Sequence, residues 1–206
     1  MSPKIALIDY KAGNLTSVRK ALAAVGADVY TPDVPAALDD AQGIIVPGVG
    51  HFAATAALDA SWTDAILARV GEGRPLLGIC LGLQWLYEGS EESPELKGLG
   101  VLRGTCHKLR GDSTDGQVIK VPHVGWNSLE RLTNAPIIEG VAEGAQVYFT
   151  HSYVAPLTAD TAAATTHGER FASIVQRGQV AGVQFHPEKS GEVGLQILRN
   201  YMKMVG

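Results

Sequence analysis

The chain has 206 residues, a net charge of −4, and a composition that is 46% hydrophobic and 18% charged. This suits one globular domain spanning residues 1–206, with a sizeable core. No basic tract or aromatic–basic interleaving occurs, which argues against nucleic-acid binding. No apolar run of about 18 residues occurs either, which argues against a membrane span. Its two cysteines, Cys80 and Cys106, make no disulfide framework, and no CxxC or Cys/His spacing suggests a metal. The start, "MSPKIALIDYKAGN", lacks the features of a secretory leader. The expectation is a cytoplasmic protein with reduced thiols, no metal and no cofactor.

In chain order, "KIALID" reads as a buried strand. Asn14 then caps a helix over "LTSVRKALAAV" that ends at Gly26. "ADVYT" is a second strand. A third runs from Gly43 to Val46 and is broken by a proline and two glycines. "WTDAILARV" reads as a helix, "RPLLGI" as a fourth strand and "LGLQWLYEG" as the helix after Cys80. Strand and helix alternate as in right-handed βαβ units, which gives a parallel sheet with helices on both faces. From Leu99 onward the pattern changes to short strands: "GVLRG", "QVIKVP", "QVYFTHSYVA", "TAAATT", "FASIVQRG" and "VAGVQF". A closing helix runs from about Gly191 to Met204 and keeps one apolar face. The predicted fold is α/β: an open, mixed, mainly parallel sheet of flavodoxin-like core, with an added antiparallel region in the second half.

"PLLGICLGLQ" places Cys80 on the turn between a strand and a helix, with Gly78 and Gly82 two residues to either side. A sharp turn of this kind exposes the side chain at its apex and tolerates only small neighbours, as in a nucleophile elbow. The following helix, starting near Leu81, aims free N–H groups at the sulfur. That favours the thiolate and lets the Leu81 N–H face a developing oxyanion. A cysteine simply packed at a βα junction is the alternative. "GVQFHPEKS" ends a strand at His186, and Pro187 holds that residue extended. Residues two apart in an extended chain point the same way, so Glu188 can orient the imidazole while its other nitrogen faces a thiol. The alternative here is a solvated loop. "VPGVGHF" leaves another strand, and Gly48 and Gly50 allow a second oxyanion donor near Val49 or Gly50.

With these motifs in place, the sequence resembles the triad-type, class I glutamine amidotransferases. More narrowly, it resembles the glutaminase subunits of imidazole glycerol phosphate synthase. The narrower likeness rests on "DYKAGNLTSV", "VPGVGHF", "VPHVGWNSL", "YFTHSYV" and "GVQFHPEKS", which lie in order along nearly the whole chain. The resemblance implies a glutaminase with a Cys80–His186–Glu188 triad and a glutamyl thioester. It implies oxyanion donors at Val49, Gly50 and Leu81, and glutamine contacts from Gly48, Gly50, Gln84, His151, Ser152 and Tyr153. It also implies a heterodimer with a (β/α)8-barrel cyclase that receives the ammonia. That partner would convert the phosphoribulosyl intermediate PRFAR into imidazole glycerol phosphate and AICAR, in histidine biosynthesis. In the family, gating is attributed to the loop from Pro47 to Gly50. Asn14, Trp126, Tyr148 and Lys189 fall at the partner interface by the same likeness. Trp126 stands out independently, as an indole in the short "VGWN" loop.

Cys106, His51, His107, His123 and His167 read as packing or solvated surface. Three alternatives stay open at this point. One is the glutaminase of another synthase (pyridoxal phosphate, anthranilate or aminodeoxychorismate). The others are a cysteine hydrolase of a different kind and a non-catalytic module. "GWN" and "THSY" weigh against the pyridoxal version, and the intact triad weighs against the inert module.

Overall fold

The computed structural model describes residues 2–13, 15–111 and 119–206. The first half alternates as expected: β1 (Lys4–Leu7), α1 (Leu15–Ala24), β2 (Asp28–Tyr30), β3 (Gly43–Gly48), α2 (Ala60–Gly71), β4 (Leu76–Cys80) and α3 (Leu81–Trp85). There follow β5 (Gly89–Ser90), β6 (Thr105–Lys108), β7 (His123–Ser128), β8 (Glu130–Arg131), β9 (Gln146–His151), β10 (Tyr153–Val154), β11 (Thr161–His167), β12 (Glu169–Arg177), β13 (Val180–Val183) and α4 (Gly191–Val205).

The central sheet has eight strands in the order β2-β1-β3-β4-β13-β12-β11-β8. The five from β2 to β13 are parallel to one another, and the three beyond run antiparallel. Alternation along each strand supplies two cores. Ile5, Leu7, Ile45, Leu77 and Ile79 face one side, with Val18 and Leu22 of α1 and Ile197, Leu198 and Tyr201 of α4. Ala6, Ile8, Ile44, Val46 and Leu76 face the other, with Ile66 of α2 and Leu83 and Trp85 of α3. Burying both faces under helices is what a parallel sheet requires. Two smaller layers, β10-β6-β5 and the antiparallel pair β7-β9, stand beside the sheet.

Several expectations need correction. β3 does not stop at Val46: it pairs with β4 through Pro47 and Gly48. Pairing of β3 with β1 ends at Leu7–Ile45, so Pro47, two residues on along that edge, forfeits no ladder bond to it. The helix after Cys80 spans only Leu81–Trp85, which shortens the dipole invoked for the sulfur. "GVLRG" is no strand, because Gly100 and Gly104 take left-handed φ values of 71° and 105°. Of "QVIKVP", Gln117 and Val118 lie outside the described residues, and the remainder is not strand. Asn14, expected as a cap and an interface residue, also lies outside them. "VGWN" is not a loop but part of β7. Among the described residues, no helix is long and apolar enough to cross a membrane.

Candidate active site

Cys80 is the last residue of β4 and the residue before α3. Its φ of 54° and ψ of −106° fall outside the regions a side chain normally allows, and such strain is held only where the surroundings enforce it. The surroundings are the two glycines. A Cβ on Gly78 would lie 2.6 Å from the Gly82 carbonyl oxygen, and one on Gly82 would lie 1.7 Å from the Val46 carbonyl oxygen. Both partners are backbone and cannot swing aside. The glycines therefore let β3, β4 and the start of α3 close around the bend, as the sequence pattern predicts.

Cys80 is 4% exposed but is not sealed. It lines a pocket of about 380 Å3 with Gly50, His51, Leu81, Gln84, Glu92, Pro122, Thr150, His151, Ser152 and Tyr153. The sulfur has the Thr150 carbonyl oxygen at 3.9 Å as an acceptor for its proton. Cys106 is the contrasting thiol. It is fully buried, it donates to the Gln84 carbonyl at 3.8 Å, and burial pushes its titration far up.

His186 follows β13, which pairs with β4 through Val183–Ile79, so sheet pairing carries the imidazole to the elbow. His186 Nδ1 and Glu188 Oε1 are 2.8 Å apart, with side-chain exposures of 2% and 6%. The pair forms as predicted, but not through a continued extended chain. His186 is extended, with φ −97° and ψ 98°, and residues Pro187–Lys189 then turn as a 3-10 helix. Ser190 locks this turn by donating to the His186 carbonyl at 2.6 Å while accepting the Tyr148 N–H at 3.0 Å. Burial alone lowers the imidazole's pKa. The Cys80 thiol and the Glu188 carboxylate outweigh that and hold it at about 9. His186 Nε2 and Glu188 Oε2 are buried with no hydrogen-bond partner.

The glycine loop is arranged differently from the expectation. The Val49 N–H donates to the Ala12 carbonyl at 2.7 Å, so it is turned away from the pocket and is not an open oxyanion donor in this conformation. Gly50 lines the pocket and has a left-handed φ of 96°. Gly48 does not line it. Its Cα lies beneath the Tyr10 phenol, where a Cβ would come within 1.9 Å of the hydroxyl. A separate small cavity, about 20 Å3, is lined by Gly13, Pro47, Gly48, Val49, His186 and Glu188 among others.

Gln84, His151, Ser152 and Tyr153 all reach the pocket. Gln84 Nε2 donates to the Tyr153 carbonyl at 2.9 Å. His151 Nδ1 is 3.0 Å from the same oxygen, and its Nε2 is 3.1 Å from His123 Nδ1. Burial keeps this pair neutral, with the neighbouring histidines adding to it: His151 falls to about 3 and His123 to about 4. Four lining residues are not among the expected site residues: Pro122, Thr150, His51 and Glu92. His51, taken as packing or surface, lines it and accepts the Ala53 N–H at 3.1 Å. Glu92 lies in the acidic run "EGSEESPE", which matches no catalytic spacing. It accepts the Phe52 N–H at 2.7 Å and puts a carboxylate at the pocket wall.

Trp126, Tyr148 and Lys189 cluster away from this pocket. Trp126 pairs with Tyr148 across β7 and β9, and the rings meet edge-on at 6.0 Å. Lys189 Nζ lies 5.9 Å from the Tyr148 ring centre. Trp126 is 57% exposed and Val124, on the same face of β7, is 58% exposed.

Comparison with known proteins agrees with this geometry. The model of the family "Glutamine amidotransferase class-I" matches residues 6–204. The HisH subunit of imidazole glycerol phosphate synthase from Halalkalibacterium halodurans is 47% identical, over 98% of this chain and 96% of its own. The HisH subunit from Thermococcus kodakarensis is 43% identical, over 97% and 100%. Among solved structures, one titled as a glutamine amidotransferase superposes with a TM-score of 0.75 at 22% identity, covering 98% of each chain. PurLQS from Thermotoga maritima gives 0.74 at 19% identity, covering 100% of each. These two establish the shared fold. With its elbow thiol, its histidine–glutamate pair and this likeness along nearly its whole length, the chain belongs to the class-I glutamine amidotransferase family, within the group of HisH subunits.

Proposed function

We propose that this chain is a glutaminase subunit: it releases ammonia from glutamine and delivers it to a (β/α)8-barrel cyclase that forms imidazole glycerol phosphate and AICAR from PRFAR. The observation that carries the reading is the strained Cys80 at the mouth of a pocket, on strands that bring it beside the His186–Glu188 pair. His186 takes the proton of the Cys80 thiol, the thiolate attacks the side-chain carbonyl carbon of glutamine, a C–S bond forms, and the C–N bond breaks. His186, charged at neutral pH with a pKa of about 9, gives its proton to the departing ammonia. Water then attacks the thioester, His186 takes a proton from it, and glutamate leaves with the thiol regenerated. Glu188 keeps the imidazole aligned and charged. No metal or cofactor is required by these steps.

Gln84, Ser152, Tyr153 and His151 bound the part of the pocket suited to the amino-acid end of glutamine. Glu92 supplies the negative charge that an α-ammonium group needs. The Leu81 N–H and, after a peptide rotation, the Val49 or Gly50 N–H receive the oxyanion. Because Val49 is tied to Ala12, the isolated subunit rests in a poorly active state. Trp126, Tyr148 and Lys189 form the face that meets the cyclase in a cytoplasmic heterodimer, and residues 1–206 act as one amidotransferase domain.

The test is glutamate release from glutamine by the pure chain, alone and with a barrel cyclase plus its phosphoribulosyl ligand. Little activity alone and strong stimulation together is the expected result. Stimulation by a chorismate-using or pyridoxal-forming synthase instead would move the assignment to that synthase.

A further inference from the structure

Gln184 is completely buried, yet its amide does not sit among apolar groups. Its Nε2 lies 3.7 Å from Cys80 Sγ, and its Oε1 lies 3.3 Å from Gln84 Nε2. We infer that Gln184 is a built-in donor to the nucleophilic sulfur, an N–H aimed at Sγ that stabilises the anion the thiol becomes. The inference rests on the assignment of Cys80 as nucleophile.

The direction of the amide follows from its neighbours. Gln84 faces the Tyr153 carbonyl at 2.9 Å, and a carbonyl only accepts, so the atom Gln84 turns that way is its nitrogen. The same nitrogen faces Gln184, whose near atom must therefore be its oxygen. That leaves the Gln184 NH2 toward the sulfur. A flipped Gln184 would set two donors against each other and leave an oxygen facing the sulfur, so Gln84 acts as the lock.

The backbone placement is equally constrained. The Gln184 N–H donates to the Ser173 carbonyl at 2.9 Å. β13 ends at Val183 and the chain bends at Gln184 and Phe185, and from this bend both the Gln184 amide and the His186 imidazole reach Cys80. The segment that follows β13 presents the sulfur with an imidazole and an amide together. A sulfur anion in a dry site gains most from fixed donors that need no reorganisation. Of the titratable groups, His186 and the Tyr10 phenol lie within electrostatic range of the thiol. Gln184 adds a neutral donor whose effect does not depend on pH.

The test compares the wild-type chain with Gln184→Met, which keeps length and removes the donor, and Gln184→Glu, which keeps shape and puts an acceptor or a negative charge against the sulfur. Iodoacetamide alkylation is followed across pH and mapped to the Cys80 peptide, which separates it from Cys106. The inflection of the rate is expected to move to higher pH in Q184M and further still in Q184E. In the complex with the cyclase, kcat for glutamine hydrolysis is expected to fall about tenfold in Q184M while KM changes less than about threefold, the pattern of a lost transition-state contact. A folded Q184M whose alkylation profile and kcat match the wild type would overturn the inference. Should either variant fail to fold, the unmutated protein still decides. With 15N-glutamine labelling, one side-chain amide signal must shift as the thiol titrates and must stop doing so in Cys80→Ser, and the lack of any such signal overturns it. Failure of the nucleophile assignment itself looks different: glutamine hydrolysis would survive in Cys80→Ser.

Discussion

The elbow at Cys80 and the loop at Val49–Gly50 border the same pocket, and both are rich in glycine, but the glycines serve opposite ends. At the elbow, a Cβ on Gly78 or Gly82 would collide with backbone oxygen, at 2.6 and 1.7 Å. At the loop, nothing lies within 4 Å of a Cβ placed on Gly50, and the Val49 N–H is tied down by the Ala12 carbonyl. The first arrangement fixes a strained side chain in one position. The second leaves a peptide free to rotate once that tie is exchanged. A nucleophile needs the first, and a donor that must be withheld until a partner arrives needs the second.

The largest effect should come from the rigid side. Cys80→Ser is expected to keep the fold, since a hydroxyl fits the same space, and to lower glutamine hydrolysis by about 10^3-fold or more, measured in the presence of the cyclase. Gly82→Ala tests the packing argument itself. Forcing a methyl group against the Val46 carbonyl should cost about 3 kcal/mol in denaturant unfolding, and an unchanged midpoint would show that the elbow has slack. Gly50→Ala sets the contrast, with a loss of about 1 kcal/mol from the left-handed φ alone. Its effect should fall instead on stimulation by the partner, read as the ratio of glutaminase rates with and without it. If Gly50→Ala destabilised as much as Gly82→Ala, the distinction between locked and free glycines would fail.

The pH dependence of stability sharpens the comparison further. His186 has its folded pKa raised from 6.5 to about 9. Its contribution is fully present below pH 6.5 and is lost as pH rises through 9, worth roughly 3 kcal/mol at most. His151 and His123 have theirs lowered to about 3 and about 4. Their contribution is present above pH 6.5 and is lost as pH falls toward those values. Thermal unfolding should therefore weaken on both sides of neutrality, and Glu188→Gln should reduce the alkaline limb in part, since Cys80 also raises the imidazole, while leaving the acid limb unchanged. The smallest effect on the isolated chain is that of Trp126→Ala. Its exposed ring adds little to stability, while binding to the cyclase should weaken by about 2 kcal/mol, seen by titration.

The elbow was legible in the sequence because an apolar run, a cysteine and two glycines at fixed offsets admit few other structures. The closing helix was legible through its 3.6-residue pattern, and α4 runs over Gly191–Val205 as expected. β7 was not. "HVGWNS" contains glycine and asparagine and no apolar run, and it becomes a strand through pairing with β9. The His186–Glu188 pair was foreseen, although a 3-10 turn rather than extended chain delivers it. Glu92 carries no local signal, because only the chain's return past Phe52 brings it to the pocket. Gln184 gave no local signal, since its meaning depends on Gln84 and Cys80, 100 and 104 residues away.

The central claim is that a single displayed thiol carries the chemistry. Treating the complex with a glutamine-like diazoketone and locating the adduct by peptide mapping tests it directly. Modification confined to Cys80, rising in step with loss of glutamate production and slowed by glutamine, is the predicted result. An adduct on Cys106, or full modification of Cys80 with glutaminase activity intact, would contradict it.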